Sequence, residues 1–255
     1  MNYSEFFGIC RSLSSKINSQ DYDYLLDSTV RYYETFKIIS SYINNGAKVL
    51  SIGAGCAYIE AILASKFDCT VTVVDFPKTI ELNSDYYKSL NIKSYGVDIA
   101  NLDLSGFGNN FDFVLCLEVI EHLNIPFAKL LEKVTATVIN NGKVIVSTPN
   151  LGSLWHLRNL FFMRPILADA ELTFSQSCYE NEGIHRREYM PSEIDVSFRK
   201  CGYKTLLTKF VMNRKLKTKL DFIQFPFYLV KRLRPTFVMV AEKQSSVNKS
   251  PMATH

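Results

Sequence analysis

Residues 48–64, Lys-Val-Leu-Ser-Ile-Gly-Ala-Gly-Cys-Ala-Tyr-Ile-Glu-Ala-Ile-Leu-Ala, constrain the fold more than any other stretch of the chain. Val49, Leu50 and Ile52 read as a short buried strand. Gly53 and Gly55 let the backbone turn sharply and approach a ligand closely, because neither carries a Cβ. Ile59, Ile62 and Leu63 then recur at helical spacing. Strand, glycine turn and helix together aim backbone N–H groups at a small anion. The bland alternative is an ordinary strand-to-helix turn of an α/β protein.

The residues downstream extend the pattern. Thr70–Asp75 reads as a second buried strand, and Asp75 follows Gly53 by 22 positions. At that spacing an acid meets a ribose in nucleotide-binding α/β units. The dinucleotide fingerprint itself fails, because Tyr58 takes the last glycine's place and the small residue, Ala57, comes one step early. Pro77 suits the first turn of a helix whose buried face is Leu82, Tyr86 and Leu90. Residues 92–96 read as a third strand, 111–117 as a fourth, 126–139 as a helix and 142–150 as a fifth strand. A helix from Pro191 to Gly202 and strands at 203–210 and 236–241 close the pattern. Such alternation predicts a parallel sheet, and 47% hydrophobic against 21% charged residues suffices for its core.

Taken in order and spacing, these motifs resemble the class I S-adenosylmethionine-dependent methyltransferases. Beyond the glycine turn, the resemblance rests on Gly96-Val97-Asp98-Ile99, on Phe111–Leu123 with its Glu118-Val119-Ile120-Glu121-His122-Leu123, and on Gly142–Asn150. It extends to His185-Arg186-Arg187-Glu188-Tyr189-Met190-Pro191 and to Gly202-Tyr203. The resemblance implies a Rossmann-like, mostly parallel seven-stranded sheet with helices on both faces and a final antiparallel strand. It implies S-adenosyl-L-methionine as cofactor, with Ser51, Gly53, Gly55, Asp75, Phe76, Asp98, Ile99, Leu117 and Glu118 around it. Gly53 and Gly55 would lie against the methionine end, Asp75 at the ribose and Asp98 at the adenine. Two residues depart from the family: Ser51 stands where an acid is usual, which weakens the expected grip on the methionine ammonium, and Ala57 replaces the third glycine.

Glu118, Glu121 and His122 would project from one face if Glu118 began a helix. Three readings stand: acids favoured by a helix N-terminus, acid/base work by His122, or a divalent cation, with oxygen ligands and an imidazole suiting Mg²⁺ or Mn²⁺. The E-x-x-E-H pattern is similar to that of two branches, the ubiquinone-biosynthesis O-methyltransferases and the small-RNA 2′-O-methyltransferases. In the latter a further histidine completes a metal site, and His185 is the candidate here. Glu118, His122 and His185 are thus the expected catalytic residues, and Glu118, Glu121, His122 and His185 the expected metal ligands.

The chain divides into an N-terminal helical cap (1–45), a cofactor-binding core (46–150), a lid or acceptor insertion (151–190), a C-terminal part of the same sheet (191–243) and a disordered tail (244–255). Leu25, Leu26, Val30, Tyr33, Phe36, Ile39 and Ile43 mark the amphipathic faces of the cap. Residues 151–184 carry Trp155, His156, Phe161, Phe162, Phe174 and Tyr179, either as an acceptor pocket or as a small core of their own. Residues 209–234 hold eight Lys/Arg and one acid around Phe222, Phe225, Phe227 and Tyr228. That mixture suits peripheral contact with an anionic membrane, a homodimer contact, an RNA surface or a solvated basic face. A net charge of +4 does not by itself argue for nucleic acid.

Six scattered cysteines without a C-x-x-C pair read as reduced thiols. No signal peptide is evident at the N-terminus, and no stretch reaches the ~18–20 apolar residues of a membrane span. The expected location is cytoplasmic, with the inner membrane face as a contact. The expected reaction is methylation of a sugar, glycan or small-molecule hydroxyl. Alternatives are an RNA ribose, a quinone-type phenol, and, in another class, a non-catalytic S-adenosylmethionine-binding subunit; a nicotinamide oxidoreductase is the weakest, given Tyr58.

Overall fold

Strands buried on both faces need apolar residues at every position, and the centre of this chain supplies them. The computed structural model describes residues 1–15, 20–101, 103–108, 110–167, 185–213 and 219–245. Its strands are β1 (Lys48–Ile52), β2 (Thr70–Asp75), β3 (Lys93–Gly96), β4 (Phe111–Leu117), β5 (Val138–Pro149), β6 (Tyr203–Val211) and β7 (Thr236–Lys243). They form one sheet in the order β3-β2-β1-β4-β5-β7-β6. The first five run parallel, and β7 lies antiparallel between β5 and β6. This is the Rossmann-like sheet expected from the sequence.

Side chains alternate across the sheet with the period of two that a strand imposes. Val49, Val73, Phe113, Leu115 and Val238 face one core, covered by α1 (Tyr3–Ser14), α2 (Gln20–Ser40), α3 (Tyr58–Lys66) and α4 (Pro77–Ser89). Leu50, Ile52, Val74, Val114, Cys116 and Val146 face the other, covered by α5 (Phe127–Thr135) and α7 (Pro191–Lys200). Two further helices are α6 (Leu154–Phe161) and α8 (Lys219–Tyr228). Strand order reverses between β1 and β4, and ligands of open α/β sheets gather in the crevice beyond the strand ends at such a point.

Three local expectations need correction. Leu82 is 70% exposed, and α4 buries Tyr86 and Tyr87 instead, because consecutive tyrosines reach the glycine turn with their hydroxyls. The helix expected over 126–139 ends at Thr135, and Val138 already pairs with Phe111 as strand. Glu118 begins no helix: residues 118–126 form turns, with Glu118 in the left-handed region at φ 57°. Glu118, Glu121 and His122 are therefore presented by a loop rather than by one helix face. The expectations on residues 168–184, 214–218 and 246–255, including Phe174, Tyr179 and Cys178, lie outside the described residues.

Candidate functional site

The glycine turn is pinned from three sides. Gly53 N–H donates to the Val74 carbonyl (2.8 Å), Gly55 N–H to Asp75 Oδ2 (2.9 Å) and Ala57 N–H to the Ala54 carbonyl (2.8 Å). Tyr86 Oη donates to the Cys56 carbonyl (3.0 Å), and Tyr87 Oη donates to that of Gly55. Gly53, Gly55 and Ala57 all take positive φ (67°, 53° and 48°). A Cβ on Gly53 would fall 2.6 Å from Val119 Cγ2, whereas one on Gly55 would enter open space. Gly53 is thus needed for packing and Gly55 leaves room beside the backbone. The amides at 53, 55 and 57 are engaged within the protein, so they are not available to an anion.

Asp75 ends β2 and is buried. Burial raises its carboxyl, and hydrogen bonds from the Gly55 and Phe76 amides work against that rise. Asp98 is exposed and accepts from Asn101 Nδ2 (2.8 Å). The Ile99 side chain lies in the core, while Phe76 is half-buried at the head of α4.

Beyond the turn lies a cavity of about 220 Å³, walled by β1, α2, α3 and the end of β4. Ser51, Gly53, Gly55, Leu117 and Glu118 all line it. Ser51 Oγ donates to Glu60 Oε1 at 2.6 Å, and both side chains are buried. Thr35, on α2, lines the same cavity with a buried Oγ1 that has no hydrogen-bond partner among the described residues.

A second cavity, of about 540 Å³, adjoins the first through a shared wall of Tyr24, Arg31 and Glu118. Arg31 Nη1 donates to Glu118 Oε2 (2.8 Å) and Nη2 to Tyr24 Oη (2.6 Å). Ser147 Oγ donates to Glu118 Oε1 (2.7 Å). Burial works against the Arg31 charge, but Glu118 and the neighbouring tyrosines outweigh it. The second cavity holds Glu121, His122, His156, His185 and Glu188. His185 Nδ1 pairs with Glu188 Oε1 (2.9 Å), and Glu188 Oε2 lies 3.1 Å from His156 Nε2. His156 Nδ1 is 3.1 Å from the Asn150 carbonyl, which orients the ring. Burial alone would raise the Glu188 carboxyl; the two histidines outweigh it and bring it down to about 2.

The rings of His122 and His185 meet edge to face at 5.0 Å. One ligand atom each from Glu121, His122 and His185 fall within 4.8 Å of one another. Glu121 Oε2 accepts from Thr148 Oγ1 (2.9 Å), whereas Oε1 is buried without a hydrogen-bond partner, 3.9 Å from His122 Nε2. Burial, reinforced by the Glu118 charge, pushes the Glu121 carboxyl well up. An unpartnered buried oxygen beside two imidazoles fits a cation or a ligand hydroxyl. Glu118 stands outside this cluster, committed to Arg31 and Ser147.

The structure thus brings Ser51, Gly53, Gly55, Leu117 and Glu118 to one cavity, and Glu118, Glu121, His122 and His185 to the next. Asp75, Asp98, Ile99 and Phe76 lie outside both. Sequence reasoning missed Arg31, Thr35 and Glu60, whose roles depend on packing between distant elements. It named His156 only as an aromatic and Glu188 only as part of a motif. The i,i+3 spacing of His185 and Glu188 was the one local signal available.

The sequence matches the family described as "Methyltransferase domain" over residues 24–207. No curated protein matches it significantly. A SAM-dependent methyltransferase from Archaeoglobus fulgidus is 15% identical, with a TM-score of 0.58, 87% of this chain and 100% of that one covered. A chain from a complex of the Haloferax volcanii Trm112 methyltransferase activator with a methyltransferase is 15% identical, with a TM-score of 0.61 and coverages of 84% and 91%. Phosphoethanolamine N-methyltransferase 2 of Haemonchus contortus, solved with S-adenosyl-L-methionine, is 14% identical, with a TM-score of 0.57 and coverages of 84% and 53%.

Proposed function

This chain belongs to the methyltransferase domain family, and from that premise we propose that it methylates a hydroxyl oxygen of a sugar, glycan or small molecule. S-adenosylmethionine is the cofactor of that family, and it supplies an electrophilic methyl group on a sulfonium. The residues of the first cavity fit its amino-acid end: a buried unpartnered hydroxyl (Thr35), a carboxylate (Glu60), an arginine (Arg31) and open space at Gly55. Asp75 would hold the ribose and Asp98 the adenine.

The observation that carries the oxygen assignment is the pair of imidazoles in the adjoining cavity. An alcohol must lose its proton as it is alkylated, and a neutral imidazole is suited to take it near neutral pH. Glu188 engages His185 Nδ1 and so leaves Nε2 as the nitrogen available to accept a proton. His156 holds Glu188 in place from its other side. His122, in ring contact with His185, is the second candidate base. The Arg31–Glu118 pair lines both cavities and so stands at the junction where methyl group and acceptor would meet.

A second reading adds a divalent cation held by Glu121, His122 and His185, favoured by the unpartnered Glu121 oxygen. Such an ion would lower the pKa of an acceptor oxygen. Glu118, expected from the sequence as a fourth ligand, would instead stay with Arg31. Full activity in excess chelator rules this reading out.

A lipid-linked acceptor suits the surface beside the second cavity. Trp155, Leu157, Phe161 and Phe162 of the α6 region are exposed, as are Phe225, Phe227, Leu229 and Val230 beside Lys231 and Arg232. Asn150 Nδ2 ties the two segments together through the Arg232 and Arg234 carbonyls (2.8 Å each). No described helix is long and apolar enough to cross a membrane.

The test is incubation with methyl-labelled S-adenosylmethionine and panels of glycans, phenols, RNA and amines, with the product bond located by NMR. Label on oxygen that falls ~100-fold or more in His185→Ala, within the range of general-base contributions, supports the assignment. Label on nitrogen or carbon, or an unaffected variant, overturns it.

A further inference from the structure

The end of β1 carries Ser51 where it faces the first cavity, so the strand itself offers no charge to a ligand ammonium. An acidic group is nevertheless present at that wall. Glu60 projects from the first turn of α3, is 3% exposed, lines the cavity, and accepts the Ser51 hydroxyl at 2.6 Å. To the same cavity α2 contributes Thr35, whose Oγ1 is buried and lacks a hydrogen-bond partner among the described residues. A buried carboxylate and a buried unpartnered hydroxyl are both costly to desolvate without a partner. No lysine or arginine of the described residues pairs with Glu60. Arg31, a cation lining the same cavity, is already engaged by Glu118 and Tyr24. An ammonium is the chemistry that satisfies both groups at once: its charge answers Glu60, and its several N–H donors reach a carboxylate and a hydroxyl together.

We infer that Glu60, held in place by Ser51, receives the ammonium of the cofactor's methionine end, with Thr35 as a second acceptor, so that the charge absent from β1 is supplied by α3. The inference rests on the cofactor reading given above. The positioning role of Ser51 follows from its geometry: its hydroxyl fixes one carboxylate oxygen against the strand. Burial raises the Glu60 carboxyl in the ligand-free protein, and an incoming ammonium favours its ionised form.

Two probes separate this role from a structural one. S-adenosylhomocysteine carries the amino-acid end, and 5′-methylthioadenosine lacks it while keeping the adenosine. Calorimetric titration of the full chain with both, in wild type and Glu60→Gln, reads the difference. The inference predicts about 10- to 100-fold weaker binding of S-adenosylhomocysteine by the variant, the scale of a lost charge-assisted hydrogen bond. It predicts unchanged binding of 5′-methylthioadenosine. The double variant Ser51→Asp/Glu60→Gln, which returns an acid to β1, is expected to recover most of the lost affinity. Equal losses for both probes would assign Glu60 to folding alone, and no loss for either would remove it from the site; each result overturns the inference. If wild type binds neither probe, the cofactor reading fails as well, and that outcome is distinct because it does not depend on the variant.

Discussion

In the ligand-free protein Glu60 opposes stability. Its carboxyl is raised by burial, so the ionised form is less favourable in the folded chain than in the unfolded one. Below the ordinary carboxylate value of 4.5 both states are protonated and there is no penalty. As pH rises through the raised folded value, the penalty appears and then stays. Glu60→Gln is therefore expected to melt higher than wild type at pH 7 without ligand, with the gap closing as pH falls below 4.5. Thermal melts across pH measure this; a gap independent of pH would contradict it. Gly53 gives a second test at this scale. At φ 67°, with Val119 Cγ2 only 2.6 Å from the position of a Cβ, Gly53→Ala should cost about 1–3 kcal/mol in urea unfolding. Gly55→Ala meets no neighbour within 4 Å, so it should lose less stability and more cofactor affinity.

At the scale of elements, the wall between the cavities joins α2 to the loop after β4. Arg31 and Glu118 are 87 positions apart in sequence and both nearly buried. Removing one partner of such a pair leaves a buried charge, at a cost of about 3–5 kcal/mol. Arg31→Met should destabilise the chain on that scale, while Arg31→Met/Glu118→Gln should recover part of it in a double-mutant cycle. This contact also shows what the sequence could and could not reveal. The strand pattern and glycine turn were legible because their signals are local: period-two burial, a pair of glycines and an acid at a strand end. Glu118 read as a possible metal ligand because its spacing to Glu121 and His122 was visible, whereas its real partners, Arg31 and Ser147, were not. Ser51 looked like a loss for the same reason. Its partner Glu60 sits nine positions on, but the turn at 53–57 has to fold before the two meet. The helix assumed at Glu118 failed because a left-handed residue there breaks it, and nothing in Glu-Val-Ile-Glu-His announces that conformation.

At the scale of the molecule, the C-terminal end of the sheet combines the two cavities with an exposed apolar rim that carries cations. Residues 151–167 contain Arg158 and Arg164 and no acid, and 224–235 contain Lys231, Arg232 and Arg234 and no acid. Wild type should sediment with vesicles rich in phosphatidylglycerol and not with neutral ones. Lys231→Glu/Arg232→Glu should weaken that about tenfold or more, since each basic residue near such a surface contributes roughly 1 kcal/mol. Equal sedimentation with both vesicle types would remove the electrostatic argument. The central claim is narrower than any of these: the crevice at the β1/β4 reversal holds S-adenosylmethionine. Calorimetric titration of the wild-type chain with S-adenosylhomocysteine, beside Asp75→Ala, tests it most directly. The account predicts one-to-one, micromolar binding by wild type and its loss in a variant that still folds. No binding by wild type, or undiminished binding by Asp75→Ala, would contradict it.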